Sequence, residues 1–522
     1  MNTHDSSPSK HSHQHHPKKK SVQAYIDETP FWEDGTPVAD AAITGMQKRI
    51  WTLATAGKFF EGMVVFMTGV AIPLLHLDFG LTAAQKGIVG AAPLFGILIG
   101  ATVLGGLADV FGRKRMFIVE MILFTLFLLG VALSPSYWPF VIFLFGTGAA
   151  LGCDYPTAHL VISESIPSRV RGKLVLGAFS FQAVGALFGT ALGFFILKVY
   201  PEPDAWRWMY GAVFPLGVVI VFLRFFVPES AHWLVNKHRK EEAASALRRL
   251  LKRHPEYPKR IALRIPKKRA KGEKGGSYGE LFSKKNRRST ILASVPWFLQ
   301  DLGTYGIGIF TPTILATIIG AKSGEHNLAA IIHDDLLAAK GSAILDVLLI
   351  VGIICAVFLV DKIGRIKLQL FGFIGCAVGL LLAALSLNPD GSTNIILIFA
   401  GFMLFNFMTN IGPNAMTYLI AGEVFPTRVR GKGAGFAASF AKVGAVTTAF
   451  LFPVLLHEIG TANLLYILVG TSLLGAVVTV WFGIETRGMN LETLEQVEYE
   501  DEEGEPAFDP TGPGAVPAEP KD

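Results

Sequence analysis

Twelve long apolar stretches, an internal duplication at constant offset, and basic residues confined to alternate connections predict an all-α membrane protein. Its expected form is twelve transmembrane helices in two pseudo-symmetric six-helix halves. Of 522 residues, 51% are hydrophobic and 17% charged, and the apolar residues come in blocks. Stretches of about 18 residues or more, enough to cross a hydrocarbon core as helix, lie at about 51–75, 87–107, 116–133, 137–162, 174–197, 208–227, 291–318, 343–360, 368–387, 395–421, 434–456 and 464–484. None alternates apolar and polar residues, so a β-barrel is excluded.

The rest of the chain divides around these spans. Residues 1–45 read as a disordered cytoplasmic tail, 46–229 as the first half, 230–290 as a basic cytoplasmic loop, 291–486 as the second half and 487–522 as an acidic, Pro-rich cytoplasmic tail. The tail at the start carries His4, His11, His13, His15 and His16 before Lys18, Lys19 and Lys20. Such a cluster binds metal weakly at most, and no metal or other cofactor is expected. It has no apolar core of a signal peptide. Cys153, Cys355 and Cys376 all fall within spans, so no disulfide framework is implied.

The net charge of +6 is not a nucleic-acid signal, because its location is that of a topology signal. Arg113–Arg115, Arg169–Lys173 and the nineteen Lys and Arg between Lys237 and Arg288 sit on alternate connections, whereas the opposite connection Ser134–Trp138 has none. The positive-inside rule then puts both termini and the middle loop in the cytoplasm of a cell membrane, plasma or inner.

The duplication is visible in two pairs of segments. Asp109-Val-Phe-Gly112-Arg113-Lys-Arg115 recurs as Asp361-Lys-Ile-Gly364-Arg365-Ile-Lys367. Glu164-Ser-Ile-Pro-Ser-Arg169-Val-Arg-Gly-Lys173 recurs as Glu423-Val-Phe-Pro-Thr-Arg428-Val-Arg-Gly-Lys432, with seven of ten positions identical. At the same offset of 259, Ser180–Ala186 matches Ser439–Ala445. Glycines that turn the chain and guanidinium groups that bind carboxylates or helix ends suit a gate. The plainer alternative is that the basic residues only fix topology.

These motifs resemble the major facilitator superfamily from about Trp51 to Leu494. Val227-Pro-Glu229-Ser230, Pro426-Thr-Arg428 and Glu485-Thr-Arg-Gly488 are similar to motifs of its sugar-porter-like branch. Within that branch Gly152-Cys-Asp154-Tyr155-Pro156 and Trp297-Phe-Leu-Gln-Asp301-Leu-Gly-Thr-Tyr305 resemble signatures of the phosphate:proton symporters of fungi and plants. The resemblance implies a rocking of the two halves around a central phosphate site made by Tyr155, Gln182, Trp297, Asp301, Tyr305, Asn414 and Lys442. It also implies proton handling by Asp154, Glu61 and Glu120. Leu144 stands where that family has an arginine, which leaves Asp154 and Glu120 without their usual partner.

The residues carry part of this unaided. An ionisable group in a span costs roughly 2.5–3.5 kcal/mol or more without a partner or cavity, and Lys58, Glu61, Glu120, Asp154, His159, Asp301, Asp346 and Lys442 all lie in spans. Trp297, Asp301 and Tyr305 share one helical face, a pattern that fits ordinary packing as well as a binding wall. Glu61 either relays protons or pairs with Lys58 one turn earlier. A lysine with hydroxyl, indole and amide donors suits phosphate, and the hydroxyls of dihydrogen phosphate donate to Asp301 where sulfate has none. The reading is therefore a proton-coupled symporter for phosphate, with small molecules, protons and lipid as partners. Its alternatives are another metabolite, such as an organic anion or sugar-like solute, or a non-transporting sensor. With no nucleotide-binding loop or catalytic constellation, an enzyme is not expected.

Overall fold

The computed structural model describes residues 19–38, 43–104, 107–259, 261–264, 277–323, 328–387 and 393–486, apart from a few single side chains. The histidine cluster and the acidic tail lie outside the described residues. Every long element is a helix, and pairing between extended segments is limited to isolated bridges among the described residues.

The first half contains α1 (Gly45–Phe79), α2 (Ala83–Ile99), α3 (Arg113–Ala132), α4 (Tyr137–Ser163), α5 (Ser168–Val199) and α6 (Ala205–Arg224). Reciprocal side-chain to backbone caps start two of them, Thr44 with Gln47 at α1 and Thr82 with Gln85 at α2, satisfying amide groups that the helix leaves unpaired. The end of α2 widens into a π-turn, Gly100–Leu104.

The second half contains α7 (Arg287–Ser323), α8 (Leu328–Ile363), α9 (Arg365–Leu385) and α10 (Ile395–Glu423), followed by α11 and α12 within Thr427–Phe482. Gly412 and Pro413 interrupt α10, because proline has no amide to donate. Gly460, at φ 77°, divides α11 (427–459) from α12 (461–482). The twelve spans expected from the sequence are all present as helix.

Across the halves, α1 packs on α7, α2 on α11 and α5 on α8. These last two seams are related by the duplication. Near the ends of α1 and α2 remote from the basic loops the halves meet backbone to backbone: a Cβ added at Gly69 would strike the Ile309 carbonyl, and one at Gly87 the Phe450 carbonyl. On the loop side the contact is made by side chains, with Phe179 stacked on Tyr418 at 4.4 Å and His159 Nδ1 3.4 Å from the Tyr418 hydroxyl.

The connections depart from expectation. Within the tail expected to be disordered, Val22–Asp27 is a helix, and the basic loop contains the helices Ala231–Asn236 and Lys240–Leu251. Their apolar residues explain it: Val22, Tyr25 and Ile26 share a buried cluster with Leu234, Leu247, Leu250 and Leu251. Lys20 pairs with Glu28 at 2.8 Å, Tyr257 donates to Glu28, and Asp27 accepts from the Ser168 amide at the start of α5. The loop and the arm thus form a small lobe against the first half.

Candidate functional site

Helix α7 brings Trp297, Asp301 and Tyr305 to the seam between the halves, all three buried. With Gln182 of α5, Asn414 of α10, Lys442 of α11 and Lys58 of α1 they line one cavity. Six of the seven residues expected to bind substrate are therefore together; the Tyr155 side chain is outside the described ones. An adjoining cavity, sharing Lys58 and Phe179, is lined by Glu61, Asp154, His159 and Tyr418.

Glu61 ties the two halves together. Its Oε2 lies 2.5 Å from Lys58 Nζ. Its Oε1 accepts from Tyr305 at 3.1 Å, Lys442 at 3.3 Å and Gln182 at 3.4 Å. The Tyr305 hydroxyl in turn accepts from Lys442 at 2.6 Å and Gln182 at 2.9 Å, leaving its single proton for Glu61. The pairing with Lys58 is formed, and it extends into a network that sequence spacing alone did not reveal. A carboxylate already occupies the donors expected to hold phosphate.

Asp301 has a different environment. Lys442 Nζ stands 3.8 Å away, beyond hydrogen-bond distance, and its buried Oδ2 accepts no hydrogen bond. A buried acceptor without a donor is costly. Asn414 donates to Asn410 at 2.5 Å, and Trp297 meets Tyr418 edge to face.

Asp154 and Glu120 form a second centre inside the first half. Asp154 Oδ1 lies 2.5 Å from Nη1 of Arg224, a fully buried arginine that also donates to the carbonyls of Phe117 and Leu53 and lies over the Phe117 ring at 3.5 Å. Glu120 accepts from Thr157 at 2.8 Å and Cys153 at 3.1 Å, and its Oε2 has no partner. The partner expected to be missing at Leu144 is supplied from α6. Sequence reasoning missed Arg224 because it ends an apolar run beside the basic loop, where a charge reads as a topology marker. Gly57 of α1 makes room for the centre, since a Cβ there would overlap the Asp154 carboxylate.

The repeated loop motifs form matching clusters at the loop-side ends of the helices. Arg113, buried, donates to Glu164 at 3.0 Å and pairs with Asp109 at 2.7 Å. Arg365 pairs with Glu423 and Asp361, both at 3.2 Å. Gly112 (φ 104°) and Gly364 (φ 99°) precede α3 and α9, and the first amides there donate to Glu229 and Glu485. A carboxylate at a helix N-terminus is favoured by the dipole and by unpaired amides. All these pairs lie within one half. Arg115 and Arg169 are exposed, and the Arg428 side chain is outside the described ones.

Residues 15–497 match the family model described as sugar (and other) transporter. The chain belongs to this family. It is 30% identical over 455 residues to the inner membrane metabolite transport protein YgcS of Escherichia coli, covering 87% of this chain and 94% of that one. It is 28% identical to the probable inorganic phosphate transporter 1-6 of Arabidopsis thaliana, covering 80% and 84%. Among solved structures it is similar to the partially occluded inward-open form of the xylose transporter XylE of E. coli, at TM-score 0.69 and 19% identity over 86% of this chain and all of that one. A member of this transporter family with twelve spans is a multi-pass integral membrane protein of the major facilitator fold and not an enzyme.

Proposed function

We propose that this transporter is a proton-coupled symporter of a small oxyanion, inorganic phosphate, working by alternating access. The observation that carries the reading is Glu61 held by Lys442, Tyr305 and Gln182. These donors serve phosphate equally well, so Glu61 acts as a built-in anion that fills the empty site. An incoming anion needs Lys442 free, and protonating Glu61 frees it. Proton and anion therefore bind together, while an ionised Glu61 and an incoming anion compete for the Lys442 ammonium. Asp301 Oδ2 then accepts from a phosphate hydroxyl.

Asp154 and Glu120, steadied by Arg224, handle the proton between the site and the loop side, and the Arg113 and Arg365 clusters hold each half's loops together as the halves rock. Positive residues on the loop side support a cytoplasmic location for that side and for both termini. The backbone-close packing away from the loops and the aromatic closure by Phe179 and Tyr418 support an inward-facing, partly occluded state.

Uptake of radiolabelled phosphate into proteoliposomes under an imposed pH gradient tests this. Arsenate-sensitive, gradient-driven accumulation is expected; its absence contradicts the substrate. A second reading, an organic carboxylate, is favoured by the ring wall of Phe179, Tyr418 and Trp297 beside the lysines. Organic acids as competitors in the same assay separate the two.

A further inference from the structure

Asp346 lies on α8 in the seam with α5, apart from both centres described above. It is buried, as is Thr190 of α5, whose hydroxyl stands 2.9 Å from Asp346 Oδ2. This is a bond between the halves. On its other side α8 is fastened within the second half, because Asn406 and Asn410 of α10 donate to the Leu345 and Leu349 carbonyls at 3.1 and 2.8 Å. Asp346 therefore moves with one half and Thr190 with the other.

Hydrogen-bond accounting gives the protonation state. Thr190 Oγ1 is 3.1 Å from the carbonyls of both Ala186 and Leu187, and it has one proton to donate. If that proton serves its own helix, Asp346 is the donor and is a carboxylic acid. If it serves Asp346, an ionised carboxylate still receives a single bond where it has room for about four. Charged groups on the elements around α8 include Lys198 of α5, Lys58 and Glu61 of α1, Asp301 of α7, Arg365 of α9 and Glu423 of α10, with Asp334, Asp335, Lys340, Asp361 and Lys362 on α8 itself; the others on those elements lie toward the loop-side ends or, like Asp78 of α1, at the far ends. None forms an ion pair or hydrogen bond with Asp346. A buried charge without a counter-charge is disfavoured, so the closed seam holds the neutral acid.

Thr190 is eight residues beyond Gln182 toward the end of α5 remote from the loops, about 12 Å along the helix axis. A rocking motion that opens that side parts α5 from α8 and admits water to Asp346, which then ionises. We propose that Asp346 is a proton-sensitive latch between the halves: closing the seam takes up a proton from the side away from the loops, and opening it releases one. This inference rests on the rocking of the halves and not on phosphate as substrate.

Spin labels on cysteines placed at the exposed positions Val199 and Ala329, near the ends of α5 and α8, report the seam in the full chain in nanodiscs without substrate. Wild-type protein is expected to shift from a longer to a shorter distance as pH falls. Asp346→Asn, a neutral isostere, is expected to stay at the short distance throughout. A wild-type distance that ignores pH, or an Asp346→Asn protein that still closes on acidification, overturns the proposal. Should Asp346→Asn fail to fold, Thr190→Ala decides: closure displaced to lower pH supports the latch, since the acid has lost its acceptor, and an unmoved midpoint overturns it. Normal closure in a protein that transports no phosphate counts against the substrate alone.

Discussion

The identities of the site residues carry unequal information in the sequence. Trp297, Asp301 and Tyr305 were legible as one face because i, i+4 spacing is local, and Lys442 because a lysine among Ala, Val and Phe needs a reason. Their meeting with Glu61 was not, since Glu61 lies in the other half, 381 residues from Lys442. Arg224 was illegible for a related reason: its partner is 70 residues away on α4. Removing one member of a buried pair strands the other charge, at about 3–5 kcal/mol. Arg224→Met is expected to lower thermal stability accordingly, and Arg224→Met with Asp154→Asn to recover much of the loss, as read from unfolding in nanodiscs. Equal instability of single and double variants would show that Arg224 acts through its other contacts. At Asp301, replacement by Asn removes the negative charge and turns one acceptor oxygen into an amide donor. Sulfate, expected to compete poorly with phosphate in the wild type, is then expected to inhibit strongly; unchanged selectivity would remove Asp301 from substrate choice.

At the scale of elements, the spans were readable because about 18 apolar residues cross a membrane whatever their neighbours do. The interruption at Gly412–Pro413 was not marked, because it lies inside the continuous apolar run at 395–421, whereas the division at Gly460 falls in the gap between the runs at 434–456 and 464–484. The helices of the middle loop and the arm at Val22–Asp27 were read as solvated, since Lys and Arg crowd the stretches around them and their apolar positions are buried only once they meet each other and Ile50, Leu53 and Phe117 of the first half. The repeated glycines make a sharper case. Gly112 and Gly364 have positive φ, and a Cβ on either would press on Glu229 or Glu485. Alanine at each is expected to cost on the order of 1–3 kcal/mol from backbone strain and to slow transport. Gly172→Ala, where a Cβ meets nothing within 4 Å, serves as the control with no change in either. Wild-type rates for Gly112→Ala and Gly364→Ala would leave these loops with a topological role only.

For the whole molecule, the duplication explains the paired seams α2–α11 and α5–α8 and the matching Arg113 and Arg365 clusters. The chemistry breaks that symmetry: Gln182 aligns with Ala441 and Lys442 with Ala183, so the two donors come from unequal positions of equivalent helices. Lys442 held across the halves by Glu61, with Lys58 and Asp301 beside them, makes the empty site self-neutralising. On the proposed reading, anion binding depends on the Glu61 proton. The direct measurement is phosphate affinity of the purified transporter against pH, plotted per dihydrogen phosphate so that phosphate's own titration drops out. Wild-type affinity is expected to fall by up to tenfold per pH unit once Glu61 is ionised in the empty protein, the limit for one linked proton, and Glu61→Gln is expected to bind with an affinity independent of pH. A Glu61→Gln protein that follows the wild-type pH curve would contradict the central claim.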